Sequence, residues 1–250
     1  MQAAIERAIK SMWERYDEPL TLAELADAAI LSRFYFSRVF RNVTGTSPGR
    51  FLTAIRLYKA KNLLLSTSLS VTELSYRVGY NSLGTFTTRF TKSVGVSPAR
   101  YRYMAQDGIS RAPAVPTPTA GRMGSVYGTL NLPPTTTPKR VYVGSFSGPV
   151  VEGPPASCDI VDCSDTYRLP AMPDGQWCIR AAAVAITHTD VQPWDRKPLF
   201  VSGHLAADVR HGGSVRLDID MRPMSLIDLP ILLALPELDS MQRPEQLAVG

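Results

Sequence analysis

Thr21-Leu22-Ala23-Glu24-Leu25, followed closely by Leu31-Ser32-Arg33-Phe34-Tyr35-Phe36-Ser37-Arg38-Val39-Phe40, decides the reading of the first half of this chain. Thr21 and Glu24 have the spacing of a capping box, in which a hydroxyl and a carboxylate satisfy each other's orphan N–H groups at a helix start. A short helix over 22–29 follows, then a turn at Ile30, then a second helix over about 32–44. In that second helix Phe36, Val39, Phe40 and Val43 recur at i, i+3, i+4 and i+7, which is one buried stripe. Arg33, Phe34, Ser37, Arg38 and Arg41 fall on the opposite side. Two short helices crossing over a tight turn form a helix-turn-helix unit.

The same pattern returns about fifty residues later. Ser70-Val71-Thr72-Glu73-Leu74 repeats residues 21–25 at an offset of 49. Phe86, Phe90, Gly95, Ser97, Pro98 and Arg100 repeat Phe36, Phe40, Gly45, Ser47, Pro48 and Arg50 at an offset of 50. The second copy therefore has one extra residue, expected near its inter-helix turn. Its helices are predicted over 71–78 and about 82–94, with Leu83, Gly84, Thr87 and Thr88 outward. Gly79 suits a turn that needs positive φ. Ile30 takes the equivalent place in the first copy and predicts a different turn or strain. Ser47-Pro48 and Ser97-Pro98 start further helices, with Ser as cap and Pro in the first turn. The linking helix is predicted over 48–65, or roughly 27 Å at ~1.5 Å per residue. One turn of B-DNA is about 34 Å, so such a helix could hold two recognition helices near successive major grooves.

Charge and proline separate the two halves. Residues 1–107 carry 15 Lys+Arg against 8 Asp+Glu, and residues 108–250 carry 12 against 14. Of the 20 prolines, 3 precede residue 108. A basic, proline-poor first half beside a near-neutral second half predicts two domains with different partners, the first a nucleic acid. No apolar run approaches the ~20 residues of a membrane-spanning helix, and the first residues lack the apolar stretch of a signal peptide. A cytoplasmic protein with no membrane partner is expected. Cys158, Cys163 and Cys178 are too few and too oddly spaced for a disulfide framework or a zinc knuckle. No cofactor and no metal are expected.

The stretch over 31–40, with Val78-Gly79-Tyr80, Phe86, Phe90, Gly95-Val96-Ser97-Pro98 and Tyr101-Arg102, resembles the DNA-binding domain of the AraC/XylS family of bacterial transcription regulators. The resemblance covers about residues 5–104. It implies a homeodomain-like, seven-helix, double helix-turn-helix unit that reads two adjacent major grooves of double-stranded DNA. By position, Arg33, Phe34, Ser37 and Arg38 would read bases in the first groove. Leu83, Gly84, Thr87 and Thr88 would read the second. Arg38 suits bidentate recognition of guanine, and Phe34 and Leu83 suit thymine methyls. Arg41, Arg56, Lys59 and Lys92, with Ser32, Ser82 and Thr85 at the helix starts, are the expected phosphate contacts. The chain departs from the family at Thr88, where many members carry Arg. Arg89 follows it, as an edge residue or as the base reader of a slightly rotated helix. The resemblance also makes RNA polymerase a candidate partner.

Residues 108–121, with three prolines in six positions, read as a semi-rigid linker. After them the periodicity becomes two, with Ser214 to Met221 alternating without a break and Ser125 to Leu130, Arg140 to Gly144 and Trp177 to Val184 also reading as strands. The predicted domains are therefore 1–107 (DNA-binding), 108–121 (linker) and 122–250 (effector or association domain). Residues 124–222 resemble the transthyretin-like (prealbumin-like) β-sandwich family, mostly binding modules. His188, His204 and His211 make no helical metal pair, and Ser202-Gly203-His204 lacks the setting of a nucleophile elbow. Asp190 and Asp195 read as turn formers. No enzyme is expected. The apolar segment 227–238 is expected to pack across the sandwich or to meet a second copy. A sequence-specific regulator with a ligand-sensing or self-associating β domain leads. A non-specific architectural DNA binder is the alternative, and a module tethered to DNA comes third.

Overall fold

The computed structural model describes residues 1–107, 123–148, 150–151, 153–162, 164–186 and 191–235. The predicted linker over 108–121 lies outside them. The chain divides into two units, one of Met1–Tyr103 with Ser225–Leu232 and one of Met104–Met224 with Leu233–Gly250. Among the described residues, no helix is long and apolar enough to cross a membrane.

The first unit is built on seven helices: α1 (Gln2–Glu14), α2 (Leu22–Ala29), α3 (Arg33–Thr44), α4 (Pro48–Ser66), α5 (Val71–Arg77), α6 (Leu83–Val94) and α7 (Pro98–Asp107). In α1, Ile5, Ala8, Ile9 and Met12 are buried, a helical stripe that packs with Leu25, Phe36, Phe40, Phe51 and Ile55. Most of α4 is buried, including Phe51, Leu52, Ile55, Leu57, Ala60 and Leu64. It is thus a central post flanked by the two helix pairs α2–α3 and α5–α6. The predicted ends hold to within a residue, and both capping boxes close, at Thr21–Glu24 and Ser70–Glu73.

The repeat is preserved in the packing. Phe36 meets Phe40 at 5.4 Å and Phe40 meets Phe51 at 5.5 Å between ring centroids. Fifty residues on, Phe86 meets Phe90 at 5.6 Å and Phe90 meets Tyr101 at 5.8 Å. Edge-to-face and tilted rings of this kind each add about 0.5–1.5 kcal/mol beyond area burial. Both inter-helix turns also close alike. Leu31 N donates to Ala26 O at 2.9 Å, and Tyr80 N donates to Ser75 O at 3.0 Å, with Ile30 at φ 59° and Gly79 at φ 80° in the left-handed region. Ile30 therefore takes the same backbone as Gly79. The extra residue of the second copy lies between Gly79 and the Ser82 cap, as the offset required.

Among the described residues, the second unit has nine strands: β1 (Met123–Asn131), β2 (Lys139–Phe146), β3 (Cys158–Val161), β4 (Thr166–Pro173), β5 (Gly175–Ala185), β6 (Phe200–Ser202), β7 (Leu205–Val209), β8 (Ser214–Arg216) and β9 (Ile219–Arg222). They join in one path, β3-β2-β5-β6-β9-β1-β4, with β7 also on β5 and β8 also on β1. The two ends of the path lie side by side: Arg168 N donates to Asp159 Oδ2 at 2.8 Å and Ser157 Oγ to Pro170 O at 2.6 Å. The sheet is thus nearly barrel-shaped, where the sequence led to a sandwich of two sheets. Val126, Leu130, Val143, Leu169, Ile179, Val209 and Ile219 fill its inside.

Two sequence expectations change here. Residues 214–221 are two short strands, not one, and both run parallel to β1. The break comes at Leu217 and Asp218, which crowd Gly128: a Cβ there would lie 2.1 Å from Leu217 O. Tyr167 Oη donates to Leu217 O at 2.7 Å, and Asp218 Oδ1 accepts from Thr129 N at 2.9 Å. The apolar segment also differs from expectation where it is described. Ile227 and Leu229 pack against the helical core and not across the sheet.

Candidate nucleic-acid interface

Buried aromatics on one side of α3 and α6 fix what each helix turns outward. On α3 the anchors are Phe36 and Phe40. Arg33, Phe34, Arg38 and Arg41 are exposed and Ser37 is half-buried. Phe34, in the first turn, is 92% exposed. The helix thus presents an apolar ring to water, rimmed by three arginines. The Arg38 guanidinium lies over the Tyr35 ring at 5.3 Å, a cation–π support that limits the rotamers of a long side chain. Tyr35 was not singled out from the sequence, although its i, i+3 spacing to Arg38 was readable there.

On α6 the anchors are Phe86 and Phe90. Leu83, Gly84, Thr85, Thr88, Arg89 and Lys92 are exposed, and Thr87 is half-buried. Gly84 is open: a Cβ there would approach only Ser82 Oγ, at 3.8 Å. Ser82 Oγ caps the helix, accepting from Thr85 N at 3.4 Å, whereas Ser32 starts α3 without a side-chain cap bond. Arg89 reaches back to α4, where its Nη1 donates to Thr53 Oγ1 at 3.4 Å. It is therefore exposed at the edge of α6 that faces α4.

Two expected phosphate contacts, Arg56 and Lys59, have partners within the chain. Arg56 Nε donates to Tyr16 O at 2.6 Å and its Nη2 to Glu18 O at 2.7 Å. The guanidinium is half-buried, which lowers its pKa from the usual arginine value. It pins the loop between α1 and α2, so its charge faces carbonyls of this chain. Arg102 does the same for the second motif, with Nε on Leu64 O at 3.1 Å and Nη2 on Leu69 O at 2.7 Å. The Lys59 ammonium lies over the rings of Trp13 at 5.5 Å and Tyr16 at 5.3 Å. Arg41 and Lys92 stay exposed, each in the last turn of its helix.

The β unit offers no comparable convergence among the described residues, where no group of His, Cys, Asp or Glu could hold a metal ion. Cys158 is half-buried, and burial raises its pKa; Cys178 is buried and is pushed up to about 11 by the same cause. Ser202 Oγ accepts from Ala181 N at 2.8 Å inside the sheet. His211 sits at φ 56° in a turn whose N–H groups, with those of Gly212, donate to Asp174. Asp195 lies in a short 3-10 turn. Cys163, His188 and Asp190 lie outside the described residues.

Residues 25–104 match the family model described as a helix-turn-helix domain. The helical unit thus contains a helix-turn-helix domain, with the motif present twice, at α2–α3 and α5–α6. A stretch of 99 residues is 31% identical to the lactose operon transcription activator of Staphylococcus xylosus, covering 40% of this chain and 36% of that protein. Another, of 93 residues, is 31% identical to the melibiose operon regulatory protein of Escherichia coli K12, covering 37% and 31%. The chain spans about a third of the length of the curated relatives it matches. Among solved structures, the DNA-binding domain of AdpA in complex with a target DNA is 32% identical, covers 40% of this chain and 89% of its own, and has a TM-score of 0.38.

Proposed function

We propose that this chain is a sequence-specific DNA-binding transcription regulator, acting in the cytoplasm through its helical unit. The observation that carries the reading is the pair of equivalent helices, α3 and α6, flanking the central α4, with Phe34 and Arg38 projecting from the first. The 19 residues of α4 span roughly 28 Å at ~1.5 Å per residue, close to the ~34 Å between successive major grooves on one face of B-DNA. In this reading Arg38 takes a guanine edge, with Arg33, Phe34 and Ser37 around it. Leu83, Gly84, Thr87 and Thr88 make a smaller apolar and hydroxyl surface against the second groove. Arg41, Lys92, Ser32, Ser82 and Thr85 face phosphates. The β unit is the effector or association module, and the relatives' names support a role at promoters.

The test is a duplex selected from a random pool, titrated beside its scrambled version at one salt concentration. The selected duplex is expected to bind at least about 10³-fold more tightly. Arg38→Ala is expected to relax preference at one base position, at a cost of about 1–3 kcal/mol there. Equal affinity for both duplexes would leave a non-specific architectural binder. Uniform weakening of both by Arg38→Ala would make Arg38 a phosphate contact.

A further inference from the structure

The chain leaves the helical unit after α7, builds the nine strands, and then returns. Ser225–Leu232 belongs to the helical unit, although it follows β9 in sequence. Its conformation is specified locally. Ser225 N and Oγ both donate to Asp228 Oδ2, at 2.7 and 2.9 Å, and Asp228 N donates to Ser225 O at 3.1 Å. This turn presents Ile227 and Leu229 to the core cluster formed by α1, α2, α3 and the start of α4. Further along, Lys61 Nζ of α4 donates to Ile231 O at 3.4 Å. The Lys61 side chain is itself only 3% exposed and lies over the Tyr101 ring at 5.6 Å. Leu226, directly before the packed Ile227, is 43% exposed.

The other end of the segment is equally firm. Only Pro223 and Met224 separate it from Arg222, the last residue of β9. β9 lies inside the sheet between β6 and β1, and its Ile219 and Met221 are buried in the β core. Pro223 and Met224 are the direct chain connection between β9 and the segment. The segment does not cover α3, since Arg33, Phe34, Arg38 and Arg41 all remain exposed. It supports the core on which α3 is mounted and does not block the outward face.

We propose that Ser225–Leu232 is a strap through which the β unit sets the DNA affinity of the helical unit, with the docked strap as the binding-competent state. The proposal rests on the DNA-binding reading above. A ligand or partner that moves β9 would act by loading or releasing the strap. Coupling of this kind is a difference in free energy between two docked arrangements, which every ligand of either unit must share.

The test uses the full chain carrying Ile227→Ser with Leu229→Ser, with Leu226→Ser as the exposed control and Leu229→Ala as a milder variant should the double variant fold poorly. Amide exchange is read at α1, α4 and β5 without DNA, and affinity is read on the selected duplex. Strap variants are expected to lose protection in α1 and α4, to keep it in β5, and to bind the duplex about fivefold or more weakly. Leu226→Ser should leave all of these unchanged. Unchanged protection of α1 and α4 would overturn docking. Lost protection with unchanged affinity would overturn the coupling and leave a structural tie. A wild-type chain that binds no selected duplex overturns the DNA reading and the coupling to affinity together, while the exchange measurement still decides whether the strap docks.

Discussion

At the inter-helix turn of the first motif stands Ile30, and at the same place in the second stands Gly79. Both have left-handed backbones, and both close the same turn. Their surroundings are opposite. Ile30 is 78% exposed, whereas a Cβ on Gly79 would lie 2.8 Å from the Asp17 carbonyl oxygen. The first turn thus stores strain in open water, and the second is packed against the loop that Arg56 pins. Gly79→Ala is expected to destabilise the helical unit by about 2–4 kcal/mol, from the left-handed cost plus overpacking. Ile30→Gly is expected to stabilise it by about 0.5–1 kcal/mol, the strain relieved less the entropy glycine brings to the unfolded chain. Exchange of the α4 amides reads both. Responses of the same sign at the two turns would break the comparison.

The outward faces of the motifs differ in the same spirit: α3 offers three exposed arginines and an exposed ring, while α6 offers small and hydroxyl side chains and an arginine turned toward α4. A cation's worth on DNA therefore depends on where its charge already points. Arg56→Ala removes two hydrogen bonds from a charged donor and is expected to cost about 1.5–3 kcal/mol of helical-unit stability. The slope of log affinity against log salt should stay unchanged. Arg41→Ala should behave inversely, with stability nearly constant and the slope shallower by about 1. A shallower slope for Arg56→Ala would restore it as a phosphate contact.

How much of this was legible in the sequence follows from the range of the forces involved. Capping boxes, Ser-Pro starts and the Phe36/Phe40 stripe are local, so helix ends and outward faces were readable within a residue. The aromatic stack was readable because the repeat duplicates it. The role of Arg56 was not, because its acceptors lie 40 and 38 residues away and are carbonyls, which no side-chain pattern announces. The same holds for the β unit. Alternation marked residues 214–221 as strand, but the parallel pairing with β1 and the break at Leu217 depend on Gly128, which is far away in sequence. Periodicity also told that residues 227–238 carry an apolar segment. It had no means of choosing the helical core over the sheet as the surface that receives Ile227 and Leu229.

The two capping boxes allow the finest comparison. Both glutamates titrate below the ordinary value of 4.5: Glu24 because Thr21 N and then the Thr21 hydroxyl donate to it, Glu73 because the Ser70 hydroxyl and then Ser70 N do. A carboxylate depressed in the folded chain contributes stability above its ordinary value and loses it as pH falls through the folded value. Both helix starts should therefore loosen below about pH 4.5. Their salt responses should differ. Arg15 Nη2 stands 3.3 Å from Glu24 and also bridges Glu18 at 2.8 Å, and no cation contributes to the depression of Glu73. The Arg15 pair is exposed, and exposed pairs are screened once the Debye length falls to a few ångströms, at about 1 M salt. Carbon-detected titration of the two carboxyl groups at low and high salt reads the difference directly. Glu24 should move up as salt is added, while Glu73 stays where its hydroxyl and amide donors hold it. Equal movement of the two would mean that Arg15 adds nothing to the first helix start, and that the motifs are alike at their caps as well as in their aromatic stacks.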